Sequence, residues 1–307
     1  MPDNDTKFDY VIVGGGSAGC LLANRLSSEP KNRVLLLEAG KKDSYPWIHI
    51  PVGYLYCIGN PRTDWMYNTE PEQGLNGRSQ RYPRGKTLGG CSSINGMIYM
   101  RGQARDYENW AKLSGDETWN WEHALNAFKA HENHYRLDNG ADPITGNNSS
   151  FSDLHGHGGE WRIEKQRLRW DVLDSFVEAA AEMGIEKTDD FNNGDNAGVG
   201  YFDVNQRSGW RWSASKAFLR PVQSRPNLTV WTEAHVERLN FKVGLDGAVR
   251  CYGVTIQRKG VAIQVEALQE VVLSAGAVNS PQILQLSGIG PAKLLKSHGI
   301  KVVVDTP

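Results

Sequence analysis

The stretch Phe8-Asp-Tyr-Val-Ile-Val-Gly14-Gly-Gly16-Ser-Ala-Gly19-Cys, running on to Val34-Leu-Leu-Leu-Glu38-Ala39, constrains this chain more than any other. Tyr10 to Val13 is a short apolar run rich in β-branched residues, the pattern of a buried strand. Gly14, Gly16 and Gly19 follow at G-x-G-x-x-G spacing. The first glycine permits a tight turn, the second lets backbone approach a pyrophosphate, and the third lets the next helix pack close. Ser17 to about Ser27 reads as that helix, its positive dipole end facing phosphate. Arg33 to Leu37 reads as a second strand. Glu38 falls about 20 residues past the glycines, the offset of a carboxylate that takes hydrogen bonds from a ribose diol. Strand, turn, helix and acid agree on a unit that binds an ADP-ribose moiety. They do not choose between a nicotinamide and a flavin dinucleotide.

The net charge of −1 gives no electrostatic footing for nucleic acid or an acidic membrane surface. No run of about 18 apolar residues exists for a transmembrane helix, and the polar, acidic start Met1-Pro-Asp-Asn-Asp5 is not a signal peptide. Cys20, Cys57, Cys91 and Cys251 have neither zinc nor redox spacing. These features together predict a cytoplasmic location.

Prolines at 46, 51, 61 and 71 interrupt residues 41–80, which read as a long excursion of functional or lid-like character. The run Arg81 to Gly102 alternates glycines and small polar residues with Leu88, Ile94, Met97 and Ile98. Such backbone can turn N–H groups toward an anion or a polar ring edge. Residues 106–135 read as helical, with His131 and His134 three apart. No third ligand is placed beside them, and His155-Gly-His157 reads as a turn, so no metal is expected. The Asn/Asp/Gly/Ser-rich residues 138–159 read as a boundary. Further on come a strand at 160–164, a helix at 171–183, a strand at Leu228–Trp231 and a meander strand near Val254–Ile256. Val271–Leu273 is a third buried strand that turns at Ala275-Gly276. Ser280 and Pro281 there look like the cap and first position of a short helix ended by Gly288.

Three runs in this order, Gly14–Glu38, Arg84-Gly-Lys86 to Gly96, and Gly276–Gly290, resemble the glucose–methanol–choline (GMC) family of FAD-dependent oxidoreductases. The likeness extends through Trp212-Ser-Ala-Ser-Lys-Ala217 and Phe218-Leu-Arg-Pro221. Within the family, Ser92-Ser-Ile-Asn95-Gly-Met-Ile-Tyr-Met-Arg-Gly102 is most similar to choline-dehydrogenase-type alcohol dehydrogenases. The resemblance implies an α/β fold: a Rossmann-like FAD-binding domain with a parallel sheet, plus a partial antiparallel-sheet α+β substrate domain. The expected division is 1–155 and 226–307 for the FAD-binding domain and 156–225 for the partial substrate domain.

By the same likeness, Gly14, Gly16, Ser17, Ala18 and Gly19 hold the FAD pyrophosphate, and Glu38 and Ala39 meet the adenosine ribose. Leu88, Gly89, Asn95, Gly96, Met97 and Ile98 line the flavin side. Val236 meets the adenine, and Ala275 and Gly276 close over the ADP part. Cys91 stands where many relatives carry Ser or Thr. Some relatives tether FAD through a histidine just before the asparagine; here that position is Ile94, so FAD is expected to be noncovalent.

The implied reaction is oxidation of the CH–OH group of a primary alcohol, with dioxygen or another acceptor taking the electrons. A lyase or photodecarboxylase of the same fold, or an inactive flavin-binding fragment, are the other readings. The family's proton-accepting histidine lies near the far C-terminus. None of His49, His123, His131, His134, His155, His157, His235 or His298 sits in its motif, so no catalytic residue is assigned and the chain reads as an N-terminal portion. Alone it is expected to be poorly soluble or weakly flavinated, because apolar surface would stay bare.

Overall fold

A computed structural model describes residues 6–138 and 149–306. Along the chain run β1 (Lys7–Val13), α1 (Ser17–Leu26), β2 (Val34–Leu37), α2 (Ala104–Ser114), α3 (Trp121–His131), β3 (Glu132–His134) and β4 (Trp161–Lys165). These are followed by α4 (Asp171–Glu182), β5 (Asp203–Val204), β6 (Leu228–Trp231), β7 (Ala234–Val243), β8 (Val249–Arg258), β9 (Val261–Leu273) and α5 (Gly276–Leu286). Among the described residues no helix is long and apolar enough to cross a membrane.

Two compact units emerge, one of residues 1–95 with 213–307 and the other of residues 96–212. The chain passes from the first to the second within the glycine-rich run 81–102. Of the expected boundary at 138–159, residues 139–148 lie outside the described residues.

The first unit is built on a six-stranded sheet in the order β6-β2-β1-β9-β8-β7. The four strands β6, β2, β1 and β9 are mutually parallel. β8 and β7 continue the sheet as an antiparallel meander, so the sheet is mixed. Val34, Leu35, Leu36 and Leu37 are all buried. A strand covered on both faces needs this unbroken apolar run rather than an alternating one. Val11 sits between Leu35 and Val271 in register, which brings the carboxyl ends of β1, β2 and β9 level. The core beneath them includes Phe8, Val11, Val13, Leu35, Leu37, Val236, Val254, Ile256 and Ile283. Residues 41–80 fold into short helical turns and a two-residue ladder, Tyr67–Asn68 against Arg81–Tyr82.

α5 begins at Gly276, so Ser280 and Pro281 lie inside it rather than at its cap. The Ser280 hydroxyl instead reaches back to accept the Ala275 N–H at 3.0 Å. That bond satisfies a donor at the helix start from within the first turn, and the helix starts before the proline that seemed to open it.

In the second unit α3 stops at His131, and residues 132–134 turn into a strand, contrary to the helix expected through 135. β3 pairs parallel with β4, and β4 antiparallel with β5. Alternation along β3 puts Glu132 and His134 on one side, both buried. Val172 and Phe176 of α4 and Met183 just after it are largely exposed, at 67 %, 65 % and 83 %.

Candidate functional site

A groove runs along the carboxyl edge of the parallel strands in the first unit. Gly14 follows β1 with φ +100°, a conformation that favours glycine, and a Cβ there would lie 2.5 Å from the Ser274 carbonyl oxygen. A Cβ on Gly19 would lie 1.9 Å from the Gly14 carbonyl oxygen, so that glycine lets α1 sit against the turn. Gly16 differs: a Cβ there would meet no atom within 4 Å, because it would project into the groove. The first backbone bond of the helix runs from Cys20 N–H to the Gly16 carbonyl at 3.0 Å. The N–H groups of Ser17 and Ala18 therefore precede it at the groove wall, with the positive end of the helix dipole.

Glu38 ends β2 and is buried, yet it lines the same groove. Its Oε2 accepts the Gly15 N–H at 2.9 Å and its Oε1 accepts the Gly40 N–H at 2.7 Å. The carboxylate thus clasps the glycine turn from behind and keeps further lone pairs for a ligand hydroxyl. Burial pushes its pKa up to about 7, against the opposing pull of the two amides and of Lys86.

The second glycine-rich run docks on the first. Gly89 N–H donates to the Gly15 carbonyl at 2.7 Å, and a Cβ on Gly90 would lie 2.7 Å from the Gly16 Cα. The Ser92 hydroxyl donates to the Gly89 carbonyl at 2.6 Å and accepts the Ala214 N–H at 2.9 Å. It ties the loop to the segment opened by Ser213. The third run joins through Ser274, whose N–H and hydroxyl donate to the Val13 carbonyl at 2.9 and 3.0 Å. Across the groove Trp65 stacks on Tyr67, with Lys86 Nζ 4.5 Å from its ring centre, and the Tyr67 hydroxyl donates to Asn279 Oδ1 at 3.1 Å.

Of the residues expected to meet a dinucleotide, Gly14, Gly16, Ser17, Ala18, Glu38, Ala39, Val236, Ala275 and Gly276 line this one groove. Gly19 lies behind the turn, and Leu88 and Gly89 are buried under it. Asn95 caps a turn through its N–H to the Cys91 carbonyl at 2.9 Å and is not in the groove lining. Gly96, Met97 and Ile98 belong to the second unit. The groove also takes in Trp65, Arg84, Gly85, Cys91, His235 and Asn279. The only sequence signal for these was proximity to a glycine run or to Val236; Trp65, in the irregular excursion, offered no more than its aromatic type.

The second unit buries a different kind of constellation. Glu132, His134 and His155 bring their ligand-type atoms within 4.8 Å of one another. Their lone pairs are committed elsewhere. His155 Nδ1 faces Glu132 Oε1 and its Nε2 faces Asp190 Oδ2, both at 3.1 Å. His134 Nε2 faces Asp203 Oδ2 at 3.2 Å, and its Nδ1 accepts the Arg136 N–H at 3.3 Å. The Arg101 guanidinium bonds Glu132 directly. A cation in that position competes with a metal, so the donor set is that of an ion-pair network. His155, read from sequence as part of a turn, is buried at its centre, whereas His157 is exposed.

Comparison with known proteins places this geometry. A family model described as GMC oxidoreductase matches residues 8–300. The chain is 44 % identical over 302 residues to an alcohol dehydrogenase [acceptor] of Pseudomonas putida, covering 98 % of this chain and 51 % of that protein. It is 43 % identical over 304 residues to an oxygen-dependent choline dehydrogenase of Staphylococcus xylosus, again covering 98 % and 51 %. Among solved structures, pyridoxine 4-oxidase from Mesorbium loti superposes with a TM-score of 0.88 at 36 % identity, over 98 % of this chain and 55 % of that one. A formate oxidase of Aspergillus oryzae RIB40, in a structure concerned with FAD modification, gives a TM-score of 0.85 at 30 % identity over 98 % and 51 %.

The glycine turn, buried acid and mixed sheet are those of an oxidoreductase fold, and the chain belongs to the GMC oxidoreductase family. It spans about half the length of the curated relatives it matches.

Proposed function

We propose that the groove of the first unit holds FAD noncovalently and that the whole protein oxidises the CH–OH group of a primary alcohol. The observation that carries this reading is the open space at Gly16 beside a buried Glu38, a cradle that a side chain would fill. Gly16, Ser17 and Ala18 would present backbone N–H groups to the pyrophosphate, with Gly14, its own N–H given to the Leu37 carbonyl, shaping the turn beside them, and Glu38 would accept from the adenosine ribose. Ala234, His235 and Val236 form the wall for the adenine, and Ala275 and Gly276 cover the ADP portion. FAD, when bound, supplies the acceptor for a hydride leaving the carbinol carbon. Leu88, Gly89, Asn95, Gly96, Met97 and Ile98 are assigned to the flavin side on the family likeness. No residue is assigned here to accept the hydroxyl proton. Alcohol and choline dehydrogenase relatives favour a small alcohol substrate.

The test is to express the chain, reconstitute it with FAD and denature it in acid. The cofactor is expected to appear free in the supernatant, since Ile94 has no side-chain nitrogen to tether it, and Gly16→Val is expected to bind at least tenfold more weakly. Flavin remaining on the denatured protein would exclude the noncovalent assignment. Unchanged binding by Gly16→Val would exclude the groove.

A further inference from the structure

The buried network of the second unit has a direct mechanical link to the segment that follows Asn95. Met97 has φ 65°, a left-handed backbone that a side-chain-bearing residue rarely adopts. Its carbonyl accepts the Asn205 N–H at 2.8 Å, and Tyr99 N–H donates to the Asp203 carbonyl at 2.9 Å. Two residues on, Arg101 is 4 % exposed and fixed from every side. Its N–H donates to Asn192 Oδ1 at 2.8 Å, its Nε to the Tyr99 hydroxyl at 2.9 Å and its Nη1 to the Leu154 carbonyl at 2.7 Å. Its Nη2 bonds Glu132 and lies 3.3 Å from His155 Nδ1. Glu132 also accepts the Gly156 N–H at 2.8 Å.

A neutral imidazole carries one N–H. His155 presents both ring nitrogens to carboxylate oxygens at 3.1 Å, so a neutral ring protonated at Nε2 would turn its Nδ1 lone pair on Glu132 Oε1, relieved only by the longer 3.3 Å approach of Arg101 Nη2, which already bonds Glu132. As an imidazolium it donates to both. Two cations, Arg101 and His155, then balance two anions, Glu132 and Asp190. Strained backbone at positions expected to face a cofactor survives only where its surroundings hold it.

We propose that Arg101, Glu132, His155 and Asp190 form a charge-balanced clamp that positions the left-handed Met97 turn, with His155 as its second cation. His155 and Arg101 are positioning residues. Their consequence for the flavin rests on the FAD reading above; the clamp itself does not.

The groups facing His155 are consistent with this charge. Burial lowers its proton affinity, but the bonds from Asp190 and Glu132 outweigh that and raise it above the ordinary histidine value. From β3, His134 packs at 4.6 Å between ring centres, its proton affinity lowered chiefly by burial, with its Nε2 facing Asp203 Oδ2 at 3.2 Å. Phe151 stacks on the other face at 4.2 Å. Tyr99 and Arg101 approach from the loop, and the Arg136–Asp189 pair, 3.2 Å apart, flanks the loop that carries Asp190.

Hydrogen exchange of the 307-residue chain decides the matter, read at the Tyr99 and Asn205 amides and corrected for intrinsic rate at each pH. Wild type is expected to protect both amides through neutral pH and to lose at least tenfold of that protection in alkali, beyond the ordinary histidine range. His155→Gln is expected to show the loss already at pH 7 and to have no such pH step, with the β1 and β2 amides unchanged. Arg101→Lys, which keeps charge but not the fork, is expected to fall between. A flat wild-type profile through alkaline pH overturns the clamp even if His155→Gln fails to fold, and so does full protection at Tyr99 and Asn205 in a folded His155→Gln. With FAD added, a visible circular-dichroism band that shifts in His155→Gln supports the link to the flavin, and an identical band removes it. If wild type takes up no FAD, the FAD reading fails, while the exchange data still decide the clamp.

Discussion

Glu38 and Glu132 are both buried carboxylates, yet their surroundings push them opposite ways. Glu38 is held by two backbone amides in a groove wall, and burial dominates, raising its pKa to about 7. Glu132 loses as much water, but the His155 bond and the Arg101 charge outweigh burial and hold it below the usual carboxylate range. One acid is left poised to gain a partner; the other already has its partners. The direction of each shift follows from the partners the carboxylate already has, two amides in one case and two cations in the other.

The most severe break in this comparison is Glu132→Gln. It strands Arg101 and His155 with Asp190 as their remaining anion, and losing one member of a buried ionic set costs about 3–5 kcal/mol. Urea denaturation followed by tryptophan fluorescence is expected to show the second unit lost well before the first. Parallel loss of both units would contradict the contrast.

The next effect is in pH. Glu38 binds its proton more tightly folded than unfolded, so without a ligand its contribution favours the folded state in acid. That contribution is lost as pH rises from about 4.5 through about 7. The amplitude is on the order of 3 kcal/mol. Glu132 and Asp190, both held low, act in the opposite sense, and their contribution is lost as pH falls through their folded pKa values. Glu38→Gln is expected to flatten the decline between pH 4.5 and 7 in a thermal-melt series, and an unaltered slope would remove Glu38 as its source.

The smallest effect belongs to Cys91, exposed at the groove, where its sulfur lies 3.5 Å from the Gly85 N–H. Cys91→Ser is expected to change stability by less than about 0.5 kcal/mol and to leave FAD affinity unchanged in a fluorescence titration.

The amino-acid order disclosed the first unit better than the second, for a physical reason. The strand, glycine turn, helix and acid of residues 10–38 act on near neighbours, so spacing alone encodes the geometry. The strand at 228–231 was legible in the same way, and the fold class through the family resemblance. The start of α5 was not: Ser280-Pro281 carries a strong local cap signal, and the turn against β1 through Ser274 overrides it. The clamp was hidden because Arg101, Glu132, His155 and Asp190 come from distant parts of the sequence and meet only after folding. His131 drew notice through a helical spacing that β3 abolishes.

The close approach of Gly90 to Gly16 has an evolutionary consequence. Two short motifs, far apart in the gene, meet here in one direction only: Gly90 cannot acquire a methyl group unless the first motif yields, whereas the open side of Gly16 faces the groove. A chimaera that transplants the first motif into another scaffold without the second would leave the Gly15 carbonyl without the Gly89 N–H that it accepts here.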